Sequence, residues 1–172
     1  MDRELIPALI IAAANDLDLS LPEINVSKMP DEIRAYTQFP HKVLNFNQKW
    51  LKEANHIEMA GVVFHEMRHL WQFKQILLGD ENKEGLEISE EEYELWKEEL
   101  KKKEDGEFSL DAILAIEVDA YAYANLQLDF GNFHFLSTGM VDYNEGFRDQ
   151  FLHSKLMESN SFASNYYGYN QT

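Results

Sequence analysis

Val62-Val63-Phe64-His65-Glu66-Met67-Arg68-His69-Leu70-Trp71-Gln72, VVFHEMRHLWQ, sets two histidines, a glutamate and an arginine inside an apolar run. The surrounding pattern is helical over about residues 57–78, following a shorter helical piece that opens near Trp50, and it stops at Gly79-Asp80, a combination that ends helices well. Its apolar residues Val62, Val63, Phe64, Met67, Leu70, Trp71, Phe73, Ile76 and Leu77 go nearly all the way round, which marks a central helix rather than a superficial one. Unpaired ionisable groups in such a place cost several kcal/mol, on the order of 2–7 each. Something in the interior must therefore use them.

The chain around this helix has 172 residues, 45% hydrophobic and 13% aromatic, which suits one globular domain with a real core. The expected domain spans residues 1–158, with 159–172, rich in Ser, Asn and Tyr, as a loose polar tail. Fifteen basic residues against 31 acidic ones give a formal charge of -16. Phosphate backbones would be repelled, so nucleic acid is excluded as a natural partner and a cationic protein or peptide is easier to accommodate. The absence of cysteine removes disulfides, thiolate metal sites and cysteine nucleophiles, and fits a cytoplasmic protein. Leu5 to Ala14, LIPALIIAAA, follows a flank, Met1-Asp2-Arg3-Glu4, with no net positive charge and is too short to span a bilayer; it reads as a buried first helix over residues 4–17, and no membrane association is expected. No feature of the chain specifies an oligomeric state.

Outward from the central helix, residues 33–47, IRAYTQFPHKVLNFN, carry β-branched and aromatic residues broken at Pro40-His41 and predict a hairpin. With a short strand at 24–26, this gives a two- or three-stranded antiparallel sheet beside the central helix. Ser89 and Glu92 stand in capping-box spacing at the start of an acidic helix, with Tyr93, Trp96 and Leu100 as a narrow apolar stripe. Glu98 and Lys102, like Glu99 and Lys103, are spaced for surface ion pairs. This helix reads as solvent-facing on one side, with a lid or partner-binding role as the sharper alternative. A further helix is expected after Ser109 and a last one over about 143–158. The fold class is α+β, mostly helical.

His65-Glu66-Met67-Arg68-His69 is H-E-x-x-H. Positions i and i+4 of a helix share a face, so the two imidazoles can converge on one cation, while Glu66 can reach water without ligating. Zinc suits neutral imidazole and keeps one position open in catalytic sites. A third ligand is wanted, and the candidates are His41, His56, His134, His153 and a carboxylate. In the helix after Ser109 the residues Ile113, Ile116, Ala120, Ala124 and Leu128 form an apolar stripe on which Glu117 lies, whereas Asp119 faces the other side with Ala112, Ala115 and Ala122. Glu117 is the natural third ligand. The alternative is a buried Glu117 paired with Arg68; Arg68 itself could point outward or pair with an acid.

These motifs carry a resemblance. H-E-x-x-H followed on a later helix by a glutamate resembles the gluzincin branch of the zincin-like metallopeptidases, and Glu117-Val118-Asp119-Ala120-Tyr121-Ala122-Tyr123-Ala124 is similar to the E-x-x-A-x-x-F-A block of the small ImmA/IrrE-type metallopeptidases, with Tyr123 for phenylalanine. The resemblance implies a zincin-like α+β domain, zinc held by His65, His69 and Glu117, and Glu66 as catalytic acid/base in peptide-bond hydrolysis. The chain departs from many gluzincins in having Tyr121, not aspartate, four residues after the glutamate. A donor to the developing oxyanion is sought among Tyr121, Tyr123, His134, Tyr143 and His153; Tyr121, one turn from Glu117, has the edge. An open sheet edge could pair with an extended protein or peptide substrate. Two other functions stay open: a zinc-binding regulatory protein without turnover, as a partner of a repressor or toxin of prophage type, and a metal-free acidic interaction module.

Overall fold

The computed structural model describes residues 5–39, 41–78, 88–105, 114–130 and His153. The element order is α1 (Leu5–Leu17), β1 (Glu23–Ser27), β2 (Ala35–Gln38), β3 (Val43–Asn47), α2 (Gln48–Glu53), α3 (His56–Leu78), α4 (Glu90–Asp105) and α5 (Ala115–Phe130). The expected stop at Gly79-Asp80, the Ser109 cap, the helix over 143–158 and the tail over 159–172 lie outside the described residues.

Local chemistry sets the boundaries. Helix α1 closes where Asp18 takes a left-handed φ of 52° and the Leu19 N–H reaches back to the Ala14 carbonyl at 2.9 Å, satisfying an orphan acceptor of the last turn. Asn55 starts α3: its Oδ1 accepts from the Glu58 N–H at 2.8 Å while its Nδ2 donates to Glu58 Oε1. Ser89 Oγ accepts from the Glu92 N–H at 3.1 Å, as the capping spacing predicts.

The sheet has the order β1-β3-β2 and is mixed, which corrects the purely antiparallel expectation. The β2–β3 hairpin is antiparallel, but β1 lies parallel to β3 on its other side. Residues 28–34 carry the chain from one edge to the other across the end of β3. Asn47 holds that crossing: its Nδ2 donates to the Ile33 carbonyl at 2.7 Å and the Pro30 carbonyl at 3.1 Å, and its Oδ1 caps α2 through the Lys49 N–H. Nothing in a strand's alternation states whether its neighbour runs parallel.

The main core joins α1, β3, α3 and α5 through Ile6, Ile10, Leu44, Phe46, Met59, Val63, Met67, Leu70, Ala124 and Leu128. A smaller cluster of Trp96, Ala115 and Ile116 seats α4 against the start of α5 and the end of α3. Helix α4 thus buries Tyr93 and Trp96 of the expected stripe, together with Glu92 and Glu99, and half-buries Leu100, while Lys102 and Glu98 pair at 3.2 Å on its surface. Helix α3 is buried nearly all round from Met59 to Phe73, as its composition demands. Helix α5 is also buried on both sides, Asp119 and Ala122 included, so its second face is not a surface face. Among the described residues no helix is long and apolar enough to cross a membrane.

Candidate metal centre

Residues 65 and 69 fall one turn apart on α3, and α5 packs against α3 with the small residue Ala124 in the shared core and Ala120 buried one turn before it. The approach brings Glu117 from the first turn of α5 onto both imidazoles. His65 Nε2 lies 3.0 Å from Glu117 Oε2, His69 Nε2 lies 3.1 Å from Glu117 Oε1, and the two Nε2 atoms are 3.0 Å apart. Among the described residues these three side chains form a cluster able to hold a metal ion. His65 and His69 are buried, while a third of the Glu117 side chain remains exposed and leaves one side of the cluster open.

Donors at bond lengths of about 2.0–2.1 Å around a four-coordinate ion stand about 3.3 Å apart, close to the spacing found here. The donor set of two imidazole nitrogens and a carboxylate oxygen fits a divalent cation. His65, His69 and Glu117 are thus brought together as the sequence pattern anticipates, in a candidate metal site of zincin-like arrangement. His41 and His56 are exposed and stand outside it. His134 and Tyr143 lie outside the described residues, and His153 is an exposed helical residue.

Electrostatics follow from this packing. Burial by itself depresses the His69 imidazole, but the adjoining Glu117 carboxylate, aided by Glu66 and Gln72, outweighs it and raises the pKa to about 9. Burial pushes the Glu117 carboxyl up, and the two imidazoles overcome that and hold it well below its ordinary range. The cluster therefore has the charge character of a cation site, with a carboxylate held ionised against two imidazoles.

Glu66 is buried one residue along α3 and takes no part in the cluster. Its Oε2 accepts a short hydrogen bond of 2.5 Å from Thr37 Oγ1 on β2. The Tyr121 ring packs 4.1 Å from the His65 ring, so this residue too reaches the site. Tyr123 does not: its hydroxyl donates to Asp16 on α1 at 2.7 Å, and burial together with that carboxylate pushes the phenol above its ordinary pKa. It is a pin between α1 and α5.

Several residues at the site escape a reading by spacing. Arg68 pairs with an acid, one of its two expected placements, but the acid is Asp119 rather than Glu117; it grips Asp119 through two bonds, at 2.8 and 3.2 Å, and its guanidinium lies 3.9 Å over the Trp71 ring. Asp119 is accordingly buried rather than on a surface face. Gln72 bonds His69 Nδ1 at 2.8 Å through Oε1. Glu99 turns inward from α4 and accepts from the first N–H groups of α5, while the Lys103 side chain lies outside the described residues. For Gln72 a signal existed, since it is a polar residue three positions after His69 on the same apolar helix.

Scanned against models of known protein families, the chain matches none, and a search of curated proteins finds no significant match.

Proposed function

We propose that this protein is a zinc-dependent peptidase of the zincin-like kind, similar to the small ImmA/IrrE-type metallopeptidases, with His65, His69 and Glu117 holding the ion. The observation that carries the reading is Glu66. It is a buried carboxylate beside the candidate ligand cluster, outside the cluster itself, and oriented by Thr37. A purely structural metal site has no use for it. Zinc suits the donor set, being four-coordinate and without redox chemistry, and when bound it acidifies water and polarises a carbonyl.

The chain's own groups do the rest. Glu66 accepts the proton from the attacking water and returns it to the leaving amine. Tyr121, against His65, is proposed as the donor to the developing oxyanion. The substrate is an extended protein or peptide segment laid along β2. The Asn47 N–H donates to the Arg34 carbonyl at 2.9 Å, and strand alternation then turns the backbone groups of Ala35 and Thr37 away from β3. Thr37 would thus offer its main chain to a substrate and its side chain to Glu66. The charge of -16 favours basic segments, and a cysteine-free chain suits a reducing cytoplasm.

Metal content of the purified protein beside H69A and E117A, followed by cleavage of a proteome-derived peptide library by the unsubstituted protein and E66Q, tests the reading. About one zinc per chain, lost in H69A and E117A, and cleavage lost in E66Q with zinc retained are expected. Equal cleavage by E66Q would overturn the mechanism. Zinc uptake with no cleavage of any peptide would favour a zinc-binding regulatory protein without turnover.

A further inference from the structure

His69 can bind a cation through Nε2 only if its remaining ring hydrogen sits on Nδ1. The structure contains a chain of donors and acceptors that dictates this. The Arg68 guanidinium donates to both oxygens of Asp119, which keeps Asp119 an ionised, acceptor-only group. Gln72 Nε2 donates to Asp119 Oδ2 at 2.8 Å and to the Ile116 carbonyl at 2.9 Å. Both partners can only accept, so the amide cannot turn over, and its Oε1 must face His69 Nδ1, 2.8 Å away. An oxygen there requires a hydrogen on Nδ1. Nε2 is therefore the nitrogen left to hold a cation, facing His65 and Glu117.

Gln72 is fully buried, and Asp119 nearly so, at 2% exposure. Buried polar groups of this kind are retained at a cost in desolvation, and an isolated structural ion pair would not need an amide fixed between it and a histidine. His65 has no counterpart to this arrangement: among the described residues its Nδ1 is buried without a hydrogen-bond partner. The two histidines of the motif are therefore not equivalent. One is locked in a single tautomer, and the other is held by the packing of Tyr121.

We infer that Gln72, Asp119 and Arg68 form a positioning relay that fixes the tautomer and orientation of His69 for cation binding. The inference rests on the metal-site reading above and goes beyond it, since it assigns three residues that neither ligate nor touch substrate. Loss of such a support lowers cation affinity by about 10–100-fold while the ligands stay in place.

The test is zinc affinity by chelator competition, with long-range ¹H–¹⁵N correlations of the imidazoles in the zinc-loaded protein, for the unsubstituted protein, H69A, Q72L and D119N. D119N keeps the shape of the side chain but removes one of the two acceptor-only partners that hold the Gln72 amide, leaving only the Ile116 carbonyl. The unsubstituted protein is expected to show zinc on His69 Nε2 and a slowly exchanging hydrogen on Nδ1. In Q72L and D119N affinity falls about 10–100-fold and that hydrogen exchanges much faster. Zinc lost in H69A but bound unchanged by Q72L and D119N, with the Nδ1 hydrogen still protected, would overturn the relay and leave the metal site standing. No zinc uptake by the unsubstituted protein would sink the site and the relay together.

Discussion

Glu99 of α4 accepts from the Ala115 N–H at 2.8 Å, and its second oxygen takes the N–H of Ile116 at 3.0 Å. The buried carboxylate satisfies two orphan donors at the start of α5 and meets the positive end of that helix. Glu117 follows in the same turn. The acidic helix is therefore built into the site, because it fixes where the third candidate ligand begins. Replacing Glu99 with alanine should lower the stability of the metal-free protein by about 1–3 kcal/mol, as loss of a charged cap does. Zinc affinity should fall with it. Urea unfolding of E99A at an unchanged midpoint would show that the cap contributes nothing.

Arg68 and Asp119 offer a contrast between breaking a buried pair and removing it. The Asp119 side chain is 2% exposed and that of Arg68 16%. R68M leaves the carboxylate without its cation and should destabilise by about 3–5 kcal/mol. The double variant R68M/D119L removes both charges and should recover most of that loss, while zinc binding stays weakened because Gln72 has lost one of its two anchors. Equal instability of the single and double variants in urea titrations would contradict this account.

How much of this the sequence disclosed depends on whether a residue's role is set by its own helix or by a neighbour. His65 and His69 were legible because i,i+4 spacing alone places them together, and Glu117 because a glutamate on an apolar stripe is conspicuous. Asp119 was not, because a helical wheel assigns a face without saying that α3 and α4 both pack against α5. Glu99 looked like one more member of a charged run, and only the position of Ala115 explains it. The hairpin and the first strand were readable from alternation and turn residues. The parallel pairing of β1 with β3 was not, since it is decided by the 28–34 crossing that Asn47 clasps.

Cation binding should strengthen with pH. With a pKa of about 9, His69 carries a proton in the metal-free protein at neutral pH, and a cation must displace it. Apparent zinc affinity should rise about tenfold per pH unit between 7 and 8.5 and level off above 9, with about one proton released per ion at pH 7.5. Calorimetry in buffers of different ionisation enthalpy measures that release. The metal-free fold should respond in the opposite sense. His69 is raised above its ordinary 6.5, so its contribution is complete below 6.5 and fades as pH climbs through 9. Glu117 lies below its ordinary 4.5, so its contribution is present above 4.5 and is lost as acid protonates it. Metal-free protein should be most stable between these limits. A zinc affinity flat from pH 7 to 9 would show that no proton is displaced.

Thr37 separates binding from catalysis. Its hydroxyl bonds Glu66 Oε2 at 2.5 Å and touches none of the candidate ligands, so T37V should leave zinc content and zinc affinity unchanged. Valine keeps the shape and the β-branched fit to the strand, and removes the hydroxyl's two contacts with Glu66, one to the carboxylate and one to the main-chain carbonyl at 3.2 Å. If Glu66 moves the proton during hydrolysis, a carboxylate free to turn loses about 10–100-fold in kcat with little change in KM, because positioning matters in the transition state and not in substrate binding. T37S restores the hydroxyl and should restore the rate. A T37V protein that cleaves as fast as its parent would mean that β2 only supports the helix; a raised KM with unchanged kcat would instead mean that Thr37 acts on the substrate alone.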